Sequence, residues 1–148
     1  MRMQRSLSAT FGCFLLLLSV ESQAEGLSAV VGHYRYEQYS VTLPNGRVLR
    51  LSDIGATSAS LDISATGTIT LRMTMKAGNT IEQTAKVSEA HFAGSQGYWV
   101  AQWPDMNYPV KAQIKISADT LTSDTQFDNR ADTERFGSKE HAVLRKDS

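Results

Sequence analysis

An all-β fold, a single antiparallel up-and-down barrel of eight to nine strands, is what this sequence predicts, and three observations predict it. Apolar and polar residues alternate along nearly the whole chain beyond residue 25. Turn-forming residues punctuate that alternation at short intervals, and no segment after the first 24 residues sustains a capped period of about 3.6 residues. Little or no helix is therefore expected outside the N-terminal leader. Closing such a sheet into a barrel removes the exposed edges that an open sheet would present.

The first element belongs to targeting rather than to the fold. Arg2 and Arg5 precede an apolar run over residues 11–20, and Ser22-Gln23-Ala24 is a small-x-small cleavage pattern. Residues 1–24 thus read as a signal peptide and 25–148 as one barrel domain. The run is shorter than the roughly 20 residues a bilayer-spanning helix needs, so no membrane anchor is expected. Cys13 lies early within the run instead of following it, which argues against lipidation and leaves no cysteine in the mature chain. Disulfides and thiol nucleophiles are excluded together. With no Asn-x-Ser/Thr site either, the expected location is a bacterial periplasm or exterior. Loss of Arg2, Arg5 and Glu21 leaves 13 of 15 basic and 14 of 15 acidic side chains, a formal charge of −1. No basic field is available to attract nucleic acid. Residues 25–30 and 146–148 are expected to be tails.

The strands follow in order. In the first, Tyr34 and Tyr36 are even whereas Tyr39, Val41 and Leu43 are odd, so a bulge near Glu37-Gln38 is needed to keep them on one face. Pro44-Asn45-Gly46 predicts a hairpin into Val48-Leu49, with Asn-Gly suited to the positive φ of a type I′ turn. A strand over 59–63 leads to the reversal at Ala65-Thr66-Gly67. From residue 68, Ile69, Leu71, Met73 and Met75 share one face, and Thr68, Thr70, Arg72 and Thr74 share the other. Beyond Lys76-Ala77-Gly78-Asn79 the pattern resumes with Ile81, Ala85 and Val87 inward, which makes an antiparallel hairpin. A core position for Leu71 implies that Leu71→Ala costs roughly 2–5 kcal/mol. Strands over 110–116, 121–127 and 141–145 complete the set, with a turn at Ala118-Asp119.

Gly32-His33-Tyr34 at the start of the first strand resembles the Gly-x-Trp signature of lipocalins, and Thr133-Glu134-Arg135-Phe136 resembles their late-strand arginine. The resemblance runs loosely from Gly32 to about Arg145. It implies an eight-stranded barrel in which the aromatic ring and the arginine pack across the closed end. It also implies a small apolar ligand held in the barrel mouth. Two departures matter: Tyr34 stands where the family has Trp, and no segment offers the helix that usually follows the eighth strand.

The densest chemistry lies over residues 98–109, where both tryptophans and two tyrosines accompany Pro104 and Pro109. Aromatic rings with polar tips on a stretch stiffened by proline suit a binding rim. Tyr98, Trp103, Asp105 and Tyr108 are the expected ligand-binding residues. The competing reading makes Trp99 and Trp103 core plugs and Trp103-Pro104-Asp105 a rigid turn. Tyr108-Pro109 is a candidate cis peptide. Met73-Thr74-Met75 superficially resembles a copper-carrier pattern, but both methionines continue an apolar stripe, and His33, His91 and His141 have no local ligand spacing. No metal and no cofactor are expected.

No Gly-x-Ser-x-Gly elbow, His-Glu-x-x-His or phosphate loop occurs. The chain reads as a binding protein and not an enzyme. Its expected partner is a small apolar or amphipathic molecule inside the barrel. The alternative is a protein-interaction module, an inhibitor or assembly partner of another exported protein, using the aromatic 98–109 segment. A cavity above about 300 Å³ would favour the first. A packed interior with exposed Trp103 and Tyr108 would favour the second.

Overall fold

The computed structural model describes residues 26–127 and 138–147. Its strands are β1 (Gly32–Thr42), β2 (Val48–Arg50), β3 (Ala56–Ile63), β4 (Thr68–Met75), β5 (Thr80–Ala93), β6 (Gln96–Gln102), β7 (Val110–Ser117), β8 (Thr120–Gln126) and β9 (Lys139–Lys146), with one 3₁₀ turn at Leu51–Ile54. Each strand from β3 onward pairs antiparallel with the next, and β9 pairs back onto β1. The result is a closed ring of eight strands. The ninth, β2, pairs with the far end of β1, Ser40–Thr42, while Gly32–Arg35 of β1 pairs with β3.

The predicted bulge is present: the β1–β9 register shifts between Tyr36 and Gln38. That shift turns Tyr34 and Tyr36 on one side of it, and Tyr39 and Val41 on the other, to the same interior face. A second shift, between Val87 and Glu89, explains why β5 runs past the expected end at Val87. After it the inward parity switches, and Ala90 and Phe92 pack against the core. Simple alternation loses the strand at that point.

The hairpins close differently from the expected type I′ turn. Leu43 N–H donates to Arg47 O at 2.8 Å and Gly46 N–H to Leu43 O at 2.9 Å, with Gly46 at φ 86°. Asn45 stays at negative φ, so the loop has three residues ending in a left-handed glycine. The β3–β4 and β4–β5 connections repeat this plan with Gly67 and Gly78. No peptide bond among the described residues is cis, so Tyr108-Pro109 is trans.

Both expected tails are corrected where they are described. Residues 26–28 form a helical turn, and Leu27 and Val30 are buried in the main core. They seal one end of the barrel, tied down by the Tyr34 hydroxyl, which donates to Val30 O at 2.8 Å. Any side chain at Gly26 would collide with Ala90 O, 2.5 Å from where its Cβ would sit. At the other terminus, Lys146 belongs to β9 and Asp147 accepts from Arg35 Nε at 2.7 Å. Apolar side chains at 27 and 30 have no reason to remain in water when a barrel end is open beside them.

Ile69 and Ala85 are fully buried, and Leu71, Met73, Met75 and Val87 share their inward face half-buried. Ile81 departs from the expectation. It faces inward but stands at the rim, 38% exposed, because β5 has only just begun and nothing rises beyond it to cover the side chain.

Candidate functional site

The closed half of the barrel is filled by Leu27, Val30, Tyr34, Ile63, Ile69, Ile114 and Leu121. Above it the interior is not filled. A cavity of about 370 Å³ extends from Trp99, Ala142 and Leu144 towards the open end. Its lining comes from every strand because each contributes inward residues at a period of two: Tyr36 and Tyr39 from β1, Leu61 from β3, Leu71 and Met73 from β4, Gln83 from β5, Ala112 from β7. Leu49, Leu51 and Ile54 close over one side from β2 and the 3₁₀ turn. Val48, Ile54 and Ile81, the exposed large hydrophobic residues among those described, all belong to this end.

Trp103 and Asp105 line the cavity. Trp103 and Tyr108 pack half-buried onto Met106, Val110 and Phe127, a small second core beside the mouth. The loop is held from beneath by Gln102, whose Nε2 donates to Trp103 O at 3.1 Å and to Met106 O at 2.7 Å. Met106 N–H donates to Trp103 O at 3.1 Å. The rim is thus preorganised by hydrogen bonds as well as by its two prolines.

Tyr98 is not brought to that rim. On β6 the inward side chains are Trp99 and Ala101, so Tyr98 points outward by the pleat. Its hydroxyl donates to Glu89 Oε1 at 2.6 Å, and Lys111 Nζ lies 4.2 Å from its ring centroid. The hydrogen bond to Glu89 holds the phenol above its usual range. Tyr98 is a cross-strand surface residue between β5, β6 and β7.

A polar constellation that the sequence reading did not single out lies within the cavity. Tyr39 donates to Glu140 Oε2 at 2.9 Å, and Ser123, Thr125 and Ser138 line the wall beside that carboxylate. Tyr36 stacks edge-on to Tyr39 at 6.0 Å between ring centroids. Burial, reinforced by the Glu140 charge, drives the Tyr36 phenol far above its ordinary pKa, so it stays neutral and can donate. One signal could have found this wall. The inward positions 121, 123, 125 and 127 read Leu, Ser, Thr, Phe, a polar intrusion in an otherwise apolar stripe. Gln83, between Ile81 and Ala85, is the same signal on β5.

Outside, a groove of about 620 Å³ runs where β1 parts from β3. Its guanidinium groups are engaged: Arg72 with Asp62 and Glu82, Arg145 with Glu37 and Asp119. Met73 lines the cavity, and among the described residues no three His, Cys, Asp or Glu side chains cluster to hold a metal ion.

No family model matches the chain, and no curated protein matches it. The chain is distantly similar to several solved structures. A lipocalin-like protein from Bacteroides uniformis is 14% identical with a TM-score of 0.46, over 80% of this chain and 98% of that one. A redesigned β-barrel is 16% identical with a TM-score of 0.46, over 85% and 96%. The wild-type fluorescent protein UnaG is 11% identical with a TM-score of 0.40, over 82% and 99%. The architecture is the lipocalin-like one that Gly32-His33-Tyr34 resembles: eight antiparallel strands closed in chain order, with Tyr34 buried at the closed end. The Thr133-Glu134-Arg135-Phe136 segment lies outside the described residues, whose nearest members, Phe127 and Ser138, stand at the open end.

Proposed function

We propose that this protein is an exported carrier that holds a small apolar or amphipathic molecule in the open half of its barrel, and that it binds rather than catalyses. One observation carries the reading: a largely apolar cavity of about 370 Å³ reaches the surface beside a preorganised aromatic rim. Ligand sites run from about 300 to 1,000 Å³ and combine hydrophobic lining with a few convergent polar groups. An interior unfilled to this extent forgoes the dispersion contacts that a packed core supplies, and a ligand would restore them. Trp103 and Asp105 would meet the ligand directly, and Tyr108 would support Trp103 through the Met106–Val110–Phe127 cluster. Tyr98 has no part in it.

The interaction-module alternative needed a packed interior with Trp103 and Tyr108 exposed, and both are half-buried above an open cavity. Export is supported by the residues of the leader.

Native mass spectrometry of the mature protein, purified from the compartment to which it is exported, tests the proposal. A retained small molecule, released when Trp103 and Leu71 are both replaced by Ala, is the expected result. A ligand-free spectrum, together with no change in tryptophan fluorescence on titration with apolar dyes, would overturn it.

A further inference from the structure

One wall of the cavity differs from the rest. β8 presents Ser123 and Thr125 inward, and Glu140 of β9 stands in register with Thr125. Directly above them Phe127 N–H donates to Ser138 O at 2.9 Å, which fixes the Ser138 backbone. β4 lies four strands away round the ring of eight, so Leu71 and Met73 face this wall across the cavity. The cavity has a polar side and an apolar side.

Ser138 is the informative member of the polar side. It is fully buried, it lines the cavity, and among the described residues its Oγ has no hydrogen-bond partner. A hydroxyl taken out of water without a partner destabilises the fold, and native proteins rarely leave one so. Among its described neighbours, the Ser138 carbonyl accepts from Phe127 N–H and the Tyr39 hydroxyl donates to Glu140. A hydroxyl supplies one donor and two acceptor sites, so what completes it is a neutral group that both gives and takes a hydrogen bond.

We propose that Ser138 Oγ is a specificity-determining ligand contact, and that the cavity takes an amphipathic molecule with a hydroxyl on one edge. That edge hydrogen-bonds Ser138 on the β8–β9 wall while the hydrocarbon body lies against Leu71 and Met73. The inference rests on the cavity being a binding site and adds to it the orientation and polarity of what it binds.

The test compares 2-naphthol with naphthalene, which differ by one hydroxyl, in calorimetric titrations of the mature protein and its variants. Wild-type protein should favour 2-naphthol. Ser138→Ala should weaken 2-naphthol roughly five- to tenfold, the scale of one hydrogen bond, and leave naphthalene unchanged. The same variant should raise the melting temperature of the free protein by a few degrees, on the order of 2–5 °C, since it removes an unpaired buried hydroxyl. Ser138→Cys, which keeps the size, should lose 2-naphthol affinity similarly. Equal effects on both probes, or none on either, would overturn the assignment while leaving the binding function intact. Absence of any binding to wild-type protein would overturn the binding function itself, and this inference with it.

Discussion

The closed and open halves of the barrel are made by the same eight strands, yet they spend their inward residues differently. In the closed half Ile69, Ala85, Ile114, Leu121 and Leu144 meet at the axis under the Leu27–Val30 plug, none of them more than 1% exposed. In the open half the same stripes continue as Leu71, Met73 and Gln83, or as Ser123 and Thr125, and they do not meet. A barrel of eight strands is just wide enough for side chains to fill it or for one small ligand to occupy it. This chain fills one half with side chains and leaves the other open, one above the other. Stability and the proposed binding are therefore assigned to separate levels of one fold, and substitutions can separate them.

The largest expected effect comes from testing the two levels on one strand. Ile69→Ala should cost roughly 2–5 kcal/mol in a denaturant titration, through lost burial and the void left behind. Leu71→Ala, two residues higher, should cost about 1–2 kcal/mol because one side of Leu71 already borders open space. This lowers the value expected from sequence alone. Equal costs would mean that the open half is packed as tightly as the closed half. Next in size is the rim: replacing Trp103 and Tyr108 together by Ala should cost about 1–3 kcal/mol, since both contribute to a small satellite cluster. Ligand retention should fall far more than stability does. Loss of folding without loss of a ligand would assign these rings to structure.

How much of this was legible in the sequence follows from the same division. Period-two alternation over 68–75, the Tyr36/Tyr39 parity change and the positions of three glycine turns follow from local geometry, and all appear in the fold. Alternation also says which residues face the axis. Whether facing residues touch is a property of barrel radius and stagger, which no single strand encodes. Leu71 therefore read as core, and Ile81, at the rim, read as buried. Burial of Leu27 and Val30 was hidden for another reason. A plug of a few residues has no period, and its apolar side chains matter only once an unfilled barrel end exists. In the aromatic segment, Trp103 and Asp105 were legible as cavity residues, whereas Tyr98 was grouped by proximity in sequence although the pleat sends it outward.

A smaller effect isolates the backbone from packing at the closed end. Ala118 connects β7 to β8 at φ 53°, the one non-glycine residue at positive φ among those described. Its Cβ crowds the chain there, at a cost of about 1–2 kcal/mol, partly offset by the greater freedom a glycine has when unfolded. Ala118→Gly should stabilise by about 0.5–1 kcal/mol in the same titration and leave ligand affinity unchanged. A change in affinity would show that the two levels are coupled.

The smallest expected effect lies on the outer surface, where charged side chains bridge β1, β3, β4 and β5 from the closed half towards the open one. Asp62 accepts from His33 Nδ1 at 2.5 Å and pairs with Arg72, which also donates to Glu82 at 2.8 Å. Partial burial alone would raise the Asp62 pKa, but the hydrogen bonds and charges of His33 and Arg72 outweigh it and hold the carboxyl below its usual value. The folded state then binds fewer protons than the unfolded chain across that interval. The stabilisation is fully present above the unfolded value, near pH 4, and is lost as pH falls through the folded one. At 36% exposure of the Asp62 side chain solvent screens the pairs, so the gain at neutral pH is under about 1 kcal/mol. Asp62→Asn should reduce stability by that small amount at pH 7 and have no effect at the acid limit, so the two stability curves converge on descending below about pH 4. A variant curve parallel to the wild type throughout would mean that the pairs contribute nothing, and that the barrel is held by its packed interior alone.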